Sequence, residues 1–256
     1  MQLPYQSINY IPLQIEKNCC TSGSVKPYSG HRYPYKVFVE GVINMTDMQN
    51  CQSRQRLELK MPDKFSRRFG AFENSKRAYS WQFNLPKGFA VSNDFTHIHQ
   101  IHVRDLKMKM PLFTHTLRSC KNSNKQCLKF ELRYSPNGLN QSTIASFDIY
   151  PYLNKWINVQ QSIVFSRTKG SIDLTLKHDN AVLFRVNKRL TTWSRDIPRP
   201  DRSKVKASPI HYRPKWGIYR LTSNESKNVA NSLLLRNIAL DTKKAIVIQK
   251  KAAKCN

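Results

Sequence analysis

Carboxylates are the scarce group in this 256-residue sequence: 16 Asp and Glu face 43 Lys and Arg, a formal charge of +27 with a pI near 10.1. Such an excess opposes compaction by self-repulsion and points to a polyanionic partner, whether nucleic acid, an anionic membrane surface or an acidic glycan. Long apolar runs are also missing, and none approaches the roughly 20 residues that span a bilayer. Residues 1–5 show no charged stretch followed by an apolar one, so no leader is visible there, as would hold equally for a mature chain. No Cys-x-x-Cys spacing occurs, which weakens zinc-site and thioredoxin-type readings. Helix-turn-helix patterning, zinc-finger spacing and aromatic RNA-binding strands are absent as well, leaving nucleic acid with charge alone in its favour. Without internal repeats or low-complexity tracts, one domain over residues 1–256 is the simplest organisation.

Six cysteines are present, at Cys19, Cys20, Cys51, Cys120, Cys127 and Cys255. Cys120 and Cys127 bracket a polar Lys-Asn-Ser-Asn-Lys-Gln turn between two strand-like runs, which predicts a local disulfide, and one of Cys19 and Cys20 is placed to reach Cys51. Sequons at Asn44, Asn140 and Asn224, together with the even cysteine count, predict a secreted, glycosylated chain.

Period-2 alternation dominates the rest. It is visible in Arg54-Gln-Arg-Leu-Glu-Leu-Lys60, His97-Ile-His-Gln-Ile-His-Val-Arg104, Leu128-Lys-Phe-Glu-Leu-Arg-Tyr134, Ser171-Ile-Asp-Leu-Thr-Leu176 and several further runs. Breaks between them carry Pro, Gly, Asn or Asp, as in Pro86-Lys-Gly88, Ser135-Pro-Asn-Gly138 and Asp179-Asn180. This is the pattern of a sandwich of two antiparallel sheets, each strand burying one face. Residues 190–209 are polar, basic and proline-containing and read as a long loop able to cover a groove. Ala245-Ile-Val-Ile248 reads as a final edge strand or a short helix.

Three segments place polar side chains on one strand face. Arg56, Glu58 and Lys60 stand together while Leu57 and Leu59 turn inward. Gln100, His102 and Arg104 form a second set, and Lys215 and Tyr219 a third, with Gly217 between them leaving room for close approach to the backbone. Taken singly, each is an ordinary sheet feature: an Arg-x-Glu-x-Lys strand pairs with itself, a histidine is hydrogen-bonded, a tyrosine packs at a rim. Their occurrence in this order in a basic all-β chain is what points to chemistry.

The three segments resemble the signature strands of the jelly-roll polysaccharide lyases, the alginate lyases and their glucuronan-lyase relatives. That group carries Arg-[Ser/Thr]-Glu-Leu-Arg, Gln-Ile-His and Tyr-Phe-Lys-Ala-Gly-Val-Tyr-Asn-Gln strands. Here the first is Arg56-Leu57-Glu58-Leu59-Lys60, the second is intact at Gln100-Ile101-His102, and the third is Lys215-Trp216-Gly217-Ile218-Tyr219-Arg220, similar in form to glucuronan lyases. The resemblance implies an all-β, concanavalin A-like jelly roll that cleaves a 4-linked polyuronate by β-elimination. Elimination needs the C6 carboxylate neutralised, H5 removed and the departing O4 protonated. By this resemblance Arg56 and Gln100 hold the carboxylate, Arg as a fork of charged donors and Gln as an amide donor to the enolate-like oxygen. Tyr219 protonates O4, while Lys215, Lys60, Arg104, Glu58 and Arg220 contact substrate. In glucuronate or mannuronate H5 and O4 lie on one side, so Tyr219 can act as base and then acid; in guluronate or iduronate they lie on opposite sides and His102 is the natural base.

Elimination of this kind needs no metal, and a structural calcium held by loop carbonyls and an Asp stays open. A monomer acting on acidic polysaccharide, with no specific nucleic acid and no membrane span, is the expected arrangement. The alternative is a lectin-like binder on the same sandwich, which keeps the basic groove without converging catalytic groups. A hydrolase would want two carboxylates flanking the bond, and Glu58 has no partner in the trio.

Overall fold

A computed structural model describes residues 11–17, 22–27, 36–42, 54–61, 70–89, 91, 94–104, 108–120, 127–194, 197, 210–221, 231–240 and 244–248. Strands β1 (Ile11–Lys17), β2 (Ser22–Pro27), β3 (Lys36–Val42), β4 (Arg54–Lys60), β5 (Lys76–Asn84), β6 (Thr96–Arg104) and β7 (Phe113–Ser119) are followed by β8 (Leu128–Tyr134) and β9 (Ser142–Asp148). After a 3-10 turn at Tyr150–Tyr152 come β10 (Ile157–Val164), β11 (Ser171–His178), β12 (Ala181–Arg189), β13 (His211–Leu221), β14 (Asn231–Leu240) and β15 (Lys244–Ile248). No α-helix occurs among the described residues.

One sheet runs β1-β4-β13-β6-β7-β8-β9 and the other β12-β11-β10-β5-β14, extended at β14 by β15 and by the β3-β2 pair. Every pairing is antiparallel except β1 with β15, which stitches the two sheets along one edge. Alternation makes the sandwich: β10 and β11 bury every second residue, and Ile157, Val159, Ile163, Ile172, Leu174 and Leu176 all enter the core. Each such aliphatic side chain contributes about 1.5–3 kcal/mol on full burial. Leu57 and Leu59 turn into the same core, opposite the groove face of β4.

The Cys120–Cys127 disulfide is present. The pairing expected for Cys19 or Cys20 with Cys51 lies outside the described residues, as do the sequons at Asn44 and Asn224, whereas Asn140 is exposed. The carboxyl-terminal apolar run is a strand, β15. The described part of the expected groove-covering loop, 190–194 and 197, tucks Trp193 and Ile197 into the core, and Trp193 meets Tyr212 edge-on at 5.3 Å. No helix among the described residues is long and apolar enough to cross a membrane.

Candidate active site

The three polar strand faces converge because β13 lies between β4 and β6. Lys215 stands opposite both Lys60 and Gln100, Gly217 opposite Glu58, Tyr219 opposite Arg56, and Arg213 opposite His102. Gly217 has a φ of 140°, and a Cβ there would run into the backbone of β4, 2.7 Å from the Glu58 Cα and closer still to the Leu57 carbonyl. The space this glycine leaves is therefore taken by the neighbouring strand.

Glu58 is the anchor beneath the groove. It is 1% exposed, accepts a hydrogen bond from the Gln100 amide, and lies 3.4 Å from Arg56 Nε and 3.9 Å from Lys215 Nζ. Burial pushes its carboxyl pKa up, opposed by Lys215 and Arg56. It was expected to touch substrate; its buried position instead makes it the group that holds the Gln100, Arg56 and Lys215 side chains. Glu16 of β1, which the sequence patterns did not single out, completes the cluster at 2.7 Å from Lys215, 3.2 Å from Arg56 and 3.7 Å from Lys60. Burial alone would raise its pKa, but Lys215, Lys60 and Arg56 outweigh burial and bring it to about 2. The Gln100 amide donates to Glu58 and is itself buried.

Tyr219 sits at one end of this cluster. Arg54 donates a hydrogen bond to its hydroxyl oxygen at 3.1 Å, and the Arg56 guanidinium stacks over its ring at 4.2 Å. The oxygen accepts from Arg54, so its own proton is directed elsewhere. His102, by contrast, lies five residues along β6 from the position opposite Tyr219, about 16 Å at the usual strand rise. The structure therefore does not bring His102 and Tyr219 onto one sugar. The His102 ring is held neutral, with a pKa near 4, chiefly by burial, with Lys215, Arg213 and Arg56 adding to it. Arg104 continues the face beyond His102, opposite His211. Arg220, expected in the groove, is inside the sandwich instead: it is 1% exposed and donates to Gln55 at 2.8 Å. Successive strand residues point to opposite faces, so the neighbour of a groove tyrosine is a core residue.

The histidine that does meet Tyr219 is His97, with ring centroids 5.9 Å apart. Strict alternation from Gln100 would send His97 to the core and Ile98 to the groove. Bulges intervene on both sides of β6. β13 carries an extra residue between Trp216 and Tyr219, and β6 carries one between His97 and His99 relative to β7. Ile98 turns inward and His97 outward. The signal was in the sequence: His99-Gln100 puts two polar residues in succession, which breaks the alternation. Phe95 stacks on His97 at 4.5 Å and meets Tyr219 edge-on at 5.4 Å. Beyond them opens a cavity of about 240 Å³ lined by Arg54, Lys109, Arg118, Arg133, His97 and Tyr219 among others. Glu131 pairs with two of its cations, 3.2 Å from Arg118 and 4.0 Å from Arg133. Among the described residues no group of three His, Cys, Asp or Glu side chains is arranged to hold a metal.

No protein-family model and no curated protein matches this sequence. Solved structures do match. Alginate lyase A1-II′, as a double-cysteine variant, aligns with a TM-score of 0.54 at 15% identity, covering 85% of this chain and 83% of its own. A complex of the same family 7 alginate lyase with product gives 0.51 at 13% identity over 84% of each chain. The alginate lyase from Klebsiella pneumoniae gives 0.51 at 9% identity over 80% of each. At these identities the likeness is one of fold: the chain is an all-β jelly-roll sandwich of two antiparallel sheets, similar to that of the alginate lyases.

Proposed function

We propose that this protein is an extracellular polysaccharide lyase that cleaves a 4-linked polyuronate by β-elimination, with glucuronan the favoured polymer and Tyr219 the group that protonates the leaving O4. The observation that carries the proposal is the setting of Tyr219: its oxygen accepts from Arg54, its ring lies under Arg56, and it opens onto a cavity whose lining cations outnumber carboxylates. A sugar carboxylate entering there is neutralised, which acidifies H5, and a phenol whose proton is not used internally stands ready at the departing oxygen. Gln100, Arg56 and Lys215, aligned by Glu58, supply donors further along the groove. Hydrolysis is disfavoured because the groove carboxylates Glu16, Glu58 and Glu131 are all ion-paired. The alginate lyases that share the fold, some solved with product or substrate, support a lyase on this sandwich. The Cys120–Cys127 disulfide supports an oxidising compartment.

Tyr219→Phe tests the assignment. Removing one hydroxyl deletes proton transfer and little contact, so the release of unsaturated uronate ends is expected to fall by about 100- to 10,000-fold. Polysaccharide binding, followed by affinity electrophoresis, is expected to stay near wild type. A Tyr219→Phe protein that turns over at the wild-type rate removes the tyrosine from the chemistry.

A further inference from the structure

His97 is held by a chain of hydrogen bonds whose direction can be read from one end. The Gln141 amide nitrogen donates to the Pro111 carbonyl at 3.3 Å, which fixes the amide and leaves Gln141 Oε1 as an acceptor. The Thr114 hydroxyl donates to that oxygen at 3.2 Å. With its proton spent, Thr114 accepts from Thr116 at 2.9 Å, and Thr116 in turn accepts from His97 Nδ1 at 2.8 Å. The proton of the neutral imidazole is therefore on Nδ1, and Nε2 carries the lone pair. Burial first, then the guanidinium groups of Arg133, Arg118 and Arg56, keep this ring uncharged, with a pKa of about 3. A uronate carboxylate arriving beside Arg118 and Arg133 offsets those cations and makes Nε2 more basic at the moment it is needed.

Two rings that sandwich a sugar need about 3.5–4 Å of van der Waals separation on each face, or roughly 7 Å or more between them. His97 and Tyr219, side by side on neighbouring strands with centroids 5.9 Å apart and Phe95 packed against both, form one floor. They can reach a sugar from one face only.

Building on the lyase reading, we propose that the reacting uronate sits in the cavity beyond Tyr219, where His97 Nε2 removes H5 and Tyr219 protonates O4 from the same side, which selects glucuronate or mannuronate over guluronate or iduronate. The C5–H bond breaks, its proton goes to Nε2 and its electron pair forms the C4–C5 double bond. The C4–O4 bond breaks, and O4 takes the Tyr219 proton. The imidazolium and phenolate left behind are neutralised by passing the proton from His97 to Tyr219, directly or through solvent, which restores the starting state.

The test uses the full chain with polymannuronate, glucuronan and polyguluronate, the His97→Asn and His102→Asn variants, and nitrogen-15 spectra of the histidine rings. Expected are unsaturated ends from polymannuronate or glucuronan at least tenfold faster than from polyguluronate. His97→Asn should lower kcat about 100-fold or more with KM little changed, and His102→Asn should lower it less. The resonance that disappears in His97→Asn should be that of a ring with Nε2 unprotonated. Polyguluronate cut as fast as polymannuronate, wild-type kcat in His97→Asn, or a protonated Nε2 each overturns the assignment while leaving a lyase. A wild-type protein that releases no unsaturated end from any polymer overturns the lyase reading itself, and the base role with it.

Discussion

His99 and His115 face each other at 4.8 Å inside the sandwich, walled by Trp81, Trp216 and Phe130. Burial drives the pKa of both rings down, that of His115 to about 3, and the groove histidine His97 behaves alike. An unfolded chain protonates these rings below about pH 6.5 while the folded one does not, so folding stability is fully present above that pH. It declines as pH falls from 6.5 towards 3, by about 1 kcal/mol per pH unit for each of His97 and His115, and His99 contributes in the same direction. Glu16, whose folded pKa is near 2 against a normal 4.5, adds a further loss between those values. Urea midpoints measured from pH 8 to pH 4 are expected to be level above 7 and to drop steeply below 6. A midpoint unchanged between pH 7 and pH 5 would contradict neutral burial of these rings.

Strands and their faces were legible because burial in a two-sheet sandwich repeats every two residues. Leu57 and Leu59 turn inward and Arg56 and Lys60 outward, as alternation requires. What alternation cannot carry is a change of phase. The two bulges flanking β6 bring His97 to Tyr219 and leave His102 far along the strand, and no count by twos crosses a bulge correctly. Glu16 was invisible for a different reason, since its partners are all distant in sequence and depend on β1 lying beside β4. Arg220 was misplaced because nearness to Tyr219 in sequence was given more weight than the opposite facing of adjacent strand residues. Gly217 holds this geometry together. Gly217→Ala puts a methyl against the Leu57 carbonyl in a backbone region that side chains rarely adopt, at a cost of about 1–3 kcal/mol. The expected result is a lower denaturation midpoint with a larger loss of turnover, as Tyr219 shifts relative to His97. Unchanged stability and activity would show that the strand can relax around the methyl.

The whole molecule carries a formal charge of +27, and part of it collects on the sheet face around β13. Arg56, Lys60 and Lys215 are met by Glu16 and Glu58, whereas Arg54, Lys109, Arg118 and Arg133 gather around the cavity at the Tyr219 end, where Glu131 pairs with Arg118 and Arg133. Four cations lining one cavity beside Tyr219, where the reaction is proposed, are an arrangement an anionic polymer would complete. The most direct measurement incubates the wild-type protein separately with glucuronan, alginate, heparin and hyaluronan and follows the ultraviolet absorbance of a 4,5-unsaturated uronate. The account predicts a steady rise with a uronate polymer whose H5 and O4 share a face, glucuronan or the mannuronate blocks of alginate. Binding to these polymers with no rise in any of them would contradict it and make the protein a lectin on a lyase-like fold.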